Sequence, residues 1–511
     1  MTDATLAGSR AATRNLRRPS ISVPTLLSLS GALLGFGWLA SLLLRRADGL
    51  ATRAYDLAFF QQVVWNVSEG NGFVSSFNEG NFLGVHFSPL LAVPALVEMV
   101  WADARVLSLI HVLALAAAGP AAFLFLRAAC RPSPWAPWLA AAIAAPLPIW
   151  SAIQEAGLAD FHTESLALPF ALLAGWAGLR GRTWLLFAFA GVVLLAKEDQ
   201  GYTLLAVGAL IAARGPGRLR DGRRHVPGVR SAGLLLMVVG VFWTLAVFGV
   251  LMPLLRGGAS LETGWYYSWI IEGGGPLANA DRIIEQLTNG AGWMAAAGLL
   301  LSTAALPLLR PAWLLLALPP VLANLLSANV AQADFWLHYT LLPMVPILVA
   351  AALGGRSLLA WSARRFRRSR RRVGAGLVWR RPMAPVLLAL AVPAIGVAWI
   401  GGGLPPTMRA EHSQWDRPPA HDELLRFAEQ IPGEVVLIVD DSIAPPLASR
   451  ADLLLSPNGA LDAWVLVDRE ARDPGYLSWE RRNGYVHELP ESGRPQIARE
   501  GRFELWGPID E

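Results

Sequence analysis

The stretch TWLLFAFAGVVLLAKEDQGYTLLAVGALIAA, Thr183 to Ala213, decides the fold. Two runs apolar on every side, Thr183 to Ala196 and Gly201 to Ala213, flank Lys197, Glu198, Asp199 and Gln200. A helix that is apolar all round belongs in lipid or in the interior of a helical bundle, not on a soluble surface. Lys197 is also the sole lysine among 43 basic residues. A charge at the centre of a bilayer costs about 2.5 to 3.5 kcal/mol on insertion scales, so this group does not face lipid. It lines a polar cavity, or it belongs to a salt-bridge cluster that ties helices together.

Composition extends the reading to the whole chain. With 54% hydrophobic and 16% charged residues over 511 positions, it is too apolar for an ordinary soluble enzyme. The expectation is a polytopic α-helical membrane protein of about eleven transmembrane helices. Apolar runs cover 22–44, 104–126, 134–150, 165–179, 183–196, 201–213, 231–254, 291–309, 311–327, 339–355 and 383–401. The stretch Phe87 to Trp101, interrupted by Pro89 and Pro94 and carrying Glu98, reads as a re-entrant or interfacial helix.

Arginine placement sets the orientation, because positive charge in short loops stays cytoplasmic. With the N-terminus inside, cytoplasmic segments hold 25 basic residues and the outer segments before the C-terminal tail hold seven. The domain plan is then a basic cytoplasmic tail at 1–21, a transmembrane domain at 22–401 with a long first outer loop at 45–103, and an extracytoplasmic α/β domain at 402–511. The expected location is the bacterial cytoplasmic (inner) membrane, crossed many times. The arginine-rich segments around 214–230 and 356–372 serve as topological signal and contact with membrane lipids, and no nucleic acid is expected. The last segment carries 20 acidic and 11 basic side chains. Within it EVVLIVDD, ADLLLSP, AWVLVD and RFELWG predict short strands, and HDELLRFAEQI predicts a helix. Asp440 and Asp441, after a strand, are either ligands or turn residues. Cys130 stands alone, which excludes a disulfide framework. No nucleotide-binding glycine pattern is evident, which argues against an ATP-driven pump.

The runs 165–179, 183–196 and 201–213 are shorter than the roughly 20 residues that a span needs. Their outer ends therefore lie below the outer surface. Those ends carry Asp160, His162 and Glu164, then Lys197, Glu198 and Asp199, expected to line a cavity that opens outward. The long loop adds Asp56 and His86, together with Asn66, Glu69 and Asn81, and is too aromatic for a mere linker. Asp56 opens a predicted amphipathic helix that runs to Trp65, where it acts in the chemistry or as an N-cap. Asp334, His338 and Tyr339 begin another span at the same depth. The aromatic segment Gly257 to Pro276 is a lid over the cavity or an interfacial anchor.

In order along the chain, YDLAFFQQVVWN, GNFLGVHFSPLL, DFHTESLALP, KEDQG and HYTLLPMVP resemble the motifs of the bacterial and archaeal domain-of-unknown-function family 2079, from about Tyr55 to the C-terminal tail. That layout is similar to the C-type glycosyltransferase (GT-C) superfamily. The resemblance implies an inverting glycosyltransferase that moves a sugar from a polyprenyl-phosphate donor to an envelope glycan, lipid or protein acceptor. Asp56 matches the loop acid that acts as base on, or orients, the acceptor hydroxyl. Lys197 would neutralise the departing phosphate, held by Glu198 and Asp199. The alternative use of those acids, with Asp160 and His162, is a divalent cation, and no other cofactor is implied. A lipid or solute transporter or flippase, and a non-catalytic envelope-assembly protein, stay open as rival functions.

Overall fold

A computed structural model describes residues 21–214, 229–258, 264–370, 383–411, 414–456, 458–472 and 478–509. The N-terminal basic tail, most of the basic segment 214–230, the end of 356–372 and part of the aromatic segment lie outside the described residues. The chain is mainly helical with one small sheet near its C-terminus.

The helices begin with α1 (Val23–Asp48), α2 (Phe59–Ser68), α3 (Ala92–Glu98), α4 (Ala104–Ala129), α5 (Ala136–Ala144), α6 (Ser151–Leu158), α7 (Thr163–Leu179), α8 (Thr183–Ala196), α9 (Gly201–Arg214) and α10 (Val229–Ala246). Five helical stretches among the described residues are long and apolar enough to cross a membrane: Val23–Asp48, Ala104–Ala129, Ala136–Leu158, Val229–Arg256 and Val330–Arg365. The runs at 165–179, 183–196, 201–213 and 311–327 form shorter apolar helices, and 383–401 forms the helix Met383–Gly401. The run 291–309 breaks after Ser302. Eleven crossings therefore do not follow from helix length. Around Pro89 and Pro94 the chain makes a short 3-10 turn and then α3, with Val93, Leu96, Met99, Val100 and Trp101 exposed.

Apolar packing among α1, α4, α5, α7, α8, α9 and the Leu341–Arg370 helix makes the main core. Glycine sets the closest approach in it. A Cβ on Gly201 would lie 2.2 Å from the Gly240 carbonyl oxygen, and one on Gly208 would lie 2.7 Å from that of Gly233. Small residues thus let the backbones of α9 and α10 touch, as membrane helices do where lipid supplies no hydrophobic drive for association.

The sheet contains β1 (Leu437–Val439), β2 (Leu453–Leu455), β3 (Trp464–Asp468), β4 (Gln496–Glu500) and β5 (Phe503–Trp506), in the order β2-β1-β3-β5-β4. β1 pairs in parallel with β2 and β3, while β5 is antiparallel to β3 and β4. The strands expected from sequence are there, and β4 is an addition that its polar QIARE sequence hides. β1 is buried along its whole length because both faces are covered. Ile438 packs with Val486, Leu489 and Trp506. Leu437 and Val439 belong to a second core shared with Phe59, Phe60, Phe77 and Phe82 of the long loop. The aromatic loop residues are thus core, and loop and sheet form one body.

Hydrogen bonds fix the same junction. The Gln62 amide donates to the carbonyls of Arg450 and Ala451, and the Ser76 hydroxyl donates to the Leu453 carbonyl while accepting from its amide. The Gln61 amide donates to Glu98 and Ser449.

Candidate functional site

The chain enters the long loop through a π-helical turn, Ala54–Ala58, that continues into α2. Asp56 lies inside this turn, so it is not the N-cap that its sequence position allows. The Asp441 carboxylate, just after β1, accepts from the Ala54 amide at 3.2 Å and satisfies the turn's start. The sheet segment thereby helps to hold the residue beside which it docks.

From Asp56 a line of ionisable side chains runs into the helical body. The His162 Nε2 atom lies 3.9 Å from the Asp56 Oδ1 atom, just beyond hydrogen-bond reach. The His162 Nδ1 atom lies 3.1 Å from the Ala159 carbonyl and donates to it, which leaves the Nε2 lone pair of the neutral ring facing Asp56. The His162 ring stacks on His338 with centroids 3.5 Å apart and planes inclined by 18°. The His338 Nε2 atom is 3.5 Å from Glu164, and Glu164 is ion-paired with Lys197. Tyr339 packs beside His338 and is hydrogen-bonded to Tyr266.

Local structure explains why Glu164, and not Glu198 or Asp199, holds Lys197. The antiparallel hairpin of α7 and α8 brings the first turn of α7 to the end of α8, where Lys197 is the C-cap. Lys197 is extended (φ −163°, ψ 156°), and successive extended side chains point to opposite sides. Glu198 consequently accepts from the Phe87 amide at 3.0 Å and approaches the His86 ring at 3.4 Å. Asp199 accepts from Gln200 at 3.2 Å. Asp160 points another way, accepting from Arg46 at 2.6 Å and from the Arg53 amide at 3.1 Å. These positions separate the four groups considered for a divalent cation, and among the described residues no three His, Cys, Asp or Glu side chains converge as a metal site would require. Asp334 is outside the line, accepting from Asn289. Asp440 accepts from Arg482 and the Asp468 amide, a structural pairing inside the sheet region.

The line is more enclosed than the expected open cavity. The side chains of Glu164, His338, His162 and Lys197 keep 4, 6, 10 and 11% of their exposure, Asp56 keeps 14% and His86 26%. Access is therefore from the Asp56 and His86 side. Two buried polar atoms of the line, Glu164 Oε2 and His338 Nδ1, have no partner among the described residues. Buried polar atoms are seldom left so, and these are the open valences of the site. A separate cavity of about 180 Å³ is lined by Glu155, Trp336, Leu337, Gly403 and Arg409, and Leu337 directly precedes His338. The Tyr266 and Tyr267 hydroxyls of the aromatic segment bond Asn329 and the Ala323 carbonyl, respectively, and Trp269 is buried beneath Arg282.

Burial pushes the Asp56 carboxyl up to about 7, helped by the neighbouring Asp160 and Asp441 carboxylates and opposed by Arg53 and Arg46. Sequence reasoning missed Arg46, His111 and the reach of Asp441. Arg46 looks like any loop arginine, yet it is buried and also donates to the Leu158 carbonyl. His111 is a lone histidine in an apolar run of α4. Its Nδ1 atom accepts from the His162 amide and its Nε2 atom meets the Ala156 carbonyl, which defines a neutral ring.

The sequence matches the family described as Predicted membrane protein (DUF2079) over residues 46–485. The chain belongs to that family. No curated protein matches it in sequence. Among solved structures, the chain is similar to ArnT from Cupriavidus metallidurans bound to undecaprenyl phosphate, with 13% identity over 94% of this chain and 97% of that one and a TM-score of 0.46. The apo form of the same protein matches with 15% identity over 93% and 98% and a TM-score of 0.42. The archaeal oligosaccharyltransferase AglB from Archaeoglobus fulgidus, in complex with an inhibitory peptide and a dolichol-phosphate, matches with 12% identity over 87% and 69% and a TM-score of 0.39.

Proposed function

We propose that this family member is a GT-C-type membrane glycosyltransferase, taking a sugar from a polyprenyl phosphate and giving it to an envelope glycan, lipid or protein hydroxyl. In this reading the sheet-bearing side faces outward from the cytoplasmic membrane and the N-terminus is cytoplasmic. The observation that carries it is the pairing, in one enclosed line, of a half-buried carboxyl near 7 with a buried ammonium. Asp56 removes the proton of the acceptor hydroxyl as that oxygen attacks the anomeric carbon. The bond from that carbon to the phosphate oxygen breaks on the opposite face, and the anomeric centre inverts. The departing phosphate is met by Lys197, a compact point charge that Glu164 holds in place. A carboxyl titrating near the working pH balances the fraction ionised against its strength as a base.

The same line supports one rival reading. Asp56, His162, His338 and Glu164 follow one another as exchangeable proton sites, which suits a proton-coupled transporter. The deciding experiment is transfer of label from a panel of labelled polyprenyl-phosphate sugars to envelope membranes, by wild type and Asp56→Asn. Transfer by wild type alone supports the transferase. A folded protein that binds the lipid phosphate but transfers no label overturns it, and flux into proteoliposomes then tests transport.

A further inference from the structure

The far end of the helical body carries a second feature. α4 starts beside the sheet region, where Arg105 meets Asp48 and Asp422, and its 26 residues run about 39 Å away from it. At that far end Arg127 and Arg131, from the end of α4, face Arg180 and Arg182, from the turn between α7 and α8. Together with Trp176 the four arginines line a cavity of about 160 Å³. The Arg182 guanidinium sits 5.0 Å from the centre of the Trp176 ring and that of Arg127 6.0 Å from the Phe123 ring. None of the four has a carboxylate partner among the described residues, in contrast to Arg46, Arg105, Arg482 and Arg502.

A C-terminal helix dipole accounts for a guanidinium at the end of α4. It does not account for four like charges gathered around one cavity, three of them exposed, whose mutual repulsion a bound anion relieves. Burial, then the charges of Arg131, Arg182 and Arg127, push the Arg180 guanidinium below its ordinary value. The first amides of α8 add donors on the same side, as no side chain caps that end. Trp184, 73% exposed and two residues beyond Arg182, is the kind of residue that sits at headgroup level.

We propose that Arg127, Arg131, Arg180 and Arg182 form a binding site for the phosphate of an anionic phospholipid headgroup, on the membrane face away from the sheet. Planar guanidiniums clamp phosphate oxygens bidentately, and two of these are steadied by aromatic rings. The site is independent of the transferase reading and lies at the other end of the molecule.

The test uses the full-length protein in phosphatidylcholine nanodiscs titrated with phosphatidylglycerol, with bound lipid counted by native mass spectrometry. Wild type is expected to retain phosphatidylglycerol in preference to phosphatidylcholine, and Arg180→Gln/Arg182→Gln to weaken retention roughly tenfold or more. The charge-matched control Arg364→Gln/Arg365→Gln, on the exposed end of the Leu341–Arg370 helix, is expected to leave retention unchanged. Equal loss in both pairs, or none in the first, overturns the site and leaves the arginines as topological charge. Displacement of the lipid by millimolar inorganic phosphate overturns the lipid assignment in favour of a soluble phosphate. If the glutamine pair fails to fold, Arg180→Lys/Arg182→Lys decides: it keeps the charge but loses the fork, so retention should still fall.

Discussion

Asp56 titrates near 7 in the folded protein because burial and the carboxylates of Asp160 and Asp441 outweigh Arg53 and Arg46. Two consequences follow with definite sign. In the proposed transfer Asp56 acts as a base and must be ionised, so kcat/KM for that reaction should rise about tenfold per pH unit below about 7 and level off above it. Asp56→Asn should reduce transfer by roughly 10²- to 10⁴-fold. For stability, the folded chain keeps the proton that the unfolded chain loses near 3.8, so stability falls as pH rises from about 3.8 to about 7. Asp56→Asn should flatten that stretch of a melting-temperature profile, and an unchanged profile would place the carboxyl in free water. Lys197 and Glu164 make a second residue-scale test. Removing one partner strands a buried charge, so Lys197→Met or Glu164→Gln alone should destabilise by about 3 to 5 kcal/mol, and the double variant by much less than the sum. Additive losses in denaturant unfolding would show that the two do not act as a pair.

At the scale of elements, the short helices α7, α8 and α9 are where sequence said most. Their lengths led to the expectation that charged ends lie below a membrane surface, and the structure brings Glu164 to Lys197 and His162 to His338 at those helix ends. Pairing partners were not legible, because partner choice depends on which way an extended residue turns. Lys197 and Glu198 are neighbours in the chain and diverge in space. Arg46 and His111 were invisible for a related reason: a loop arginine and a lone apolar-face histidine acquire meaning only when α6 and α7 pack against them. The contact of α9 with α10 was equally hidden, since glycine in an apolar run reads as filler. It predicts that Gly201→Ala, whose added carbon meets the Gly240 carbonyl at 2.2 Å, destabilises by about 1 to 3 kcal/mol, measured by thermal unfolding in detergent. Tolerance of Gly201→Leu would mean that the helices do not touch. Asp441→Ala tests the π-helical turn: losing the acceptor for the Ala54 amide should destabilise by about 1 kcal/mol and shift the pH midpoint for transfer downward, since a raising carboxylate is gone.

Over the whole molecule, the long loop and the C-terminal sheet are the two halves of one hydrophobic core. Phe59, Phe60, Phe77 and Phe82 come from the first fifth of the chain, and Leu437, Val439, Leu466 and Leu505 from the last. Sequence reading put both segments on the outer side but joined them by no contact, because no local pattern announces contact between residues nearly 400 positions apart. A chain cut before residue 402 should keep its helices, yet its loop should be cleaved by protease within the segment 59–82, which the intact protein protects. Equal protection in both would show that the loop folds alone. The shared core also has a temporal meaning. A ribosome delivers the carboxyl-bearing turn early and its buttress, Asp441 with β1, only at the end. The turn that carries Asp56 therefore lacks its Asp441 support until the last segment has been made, and a prematurely terminated product would hold that carboxyl in an unbuttressed turn.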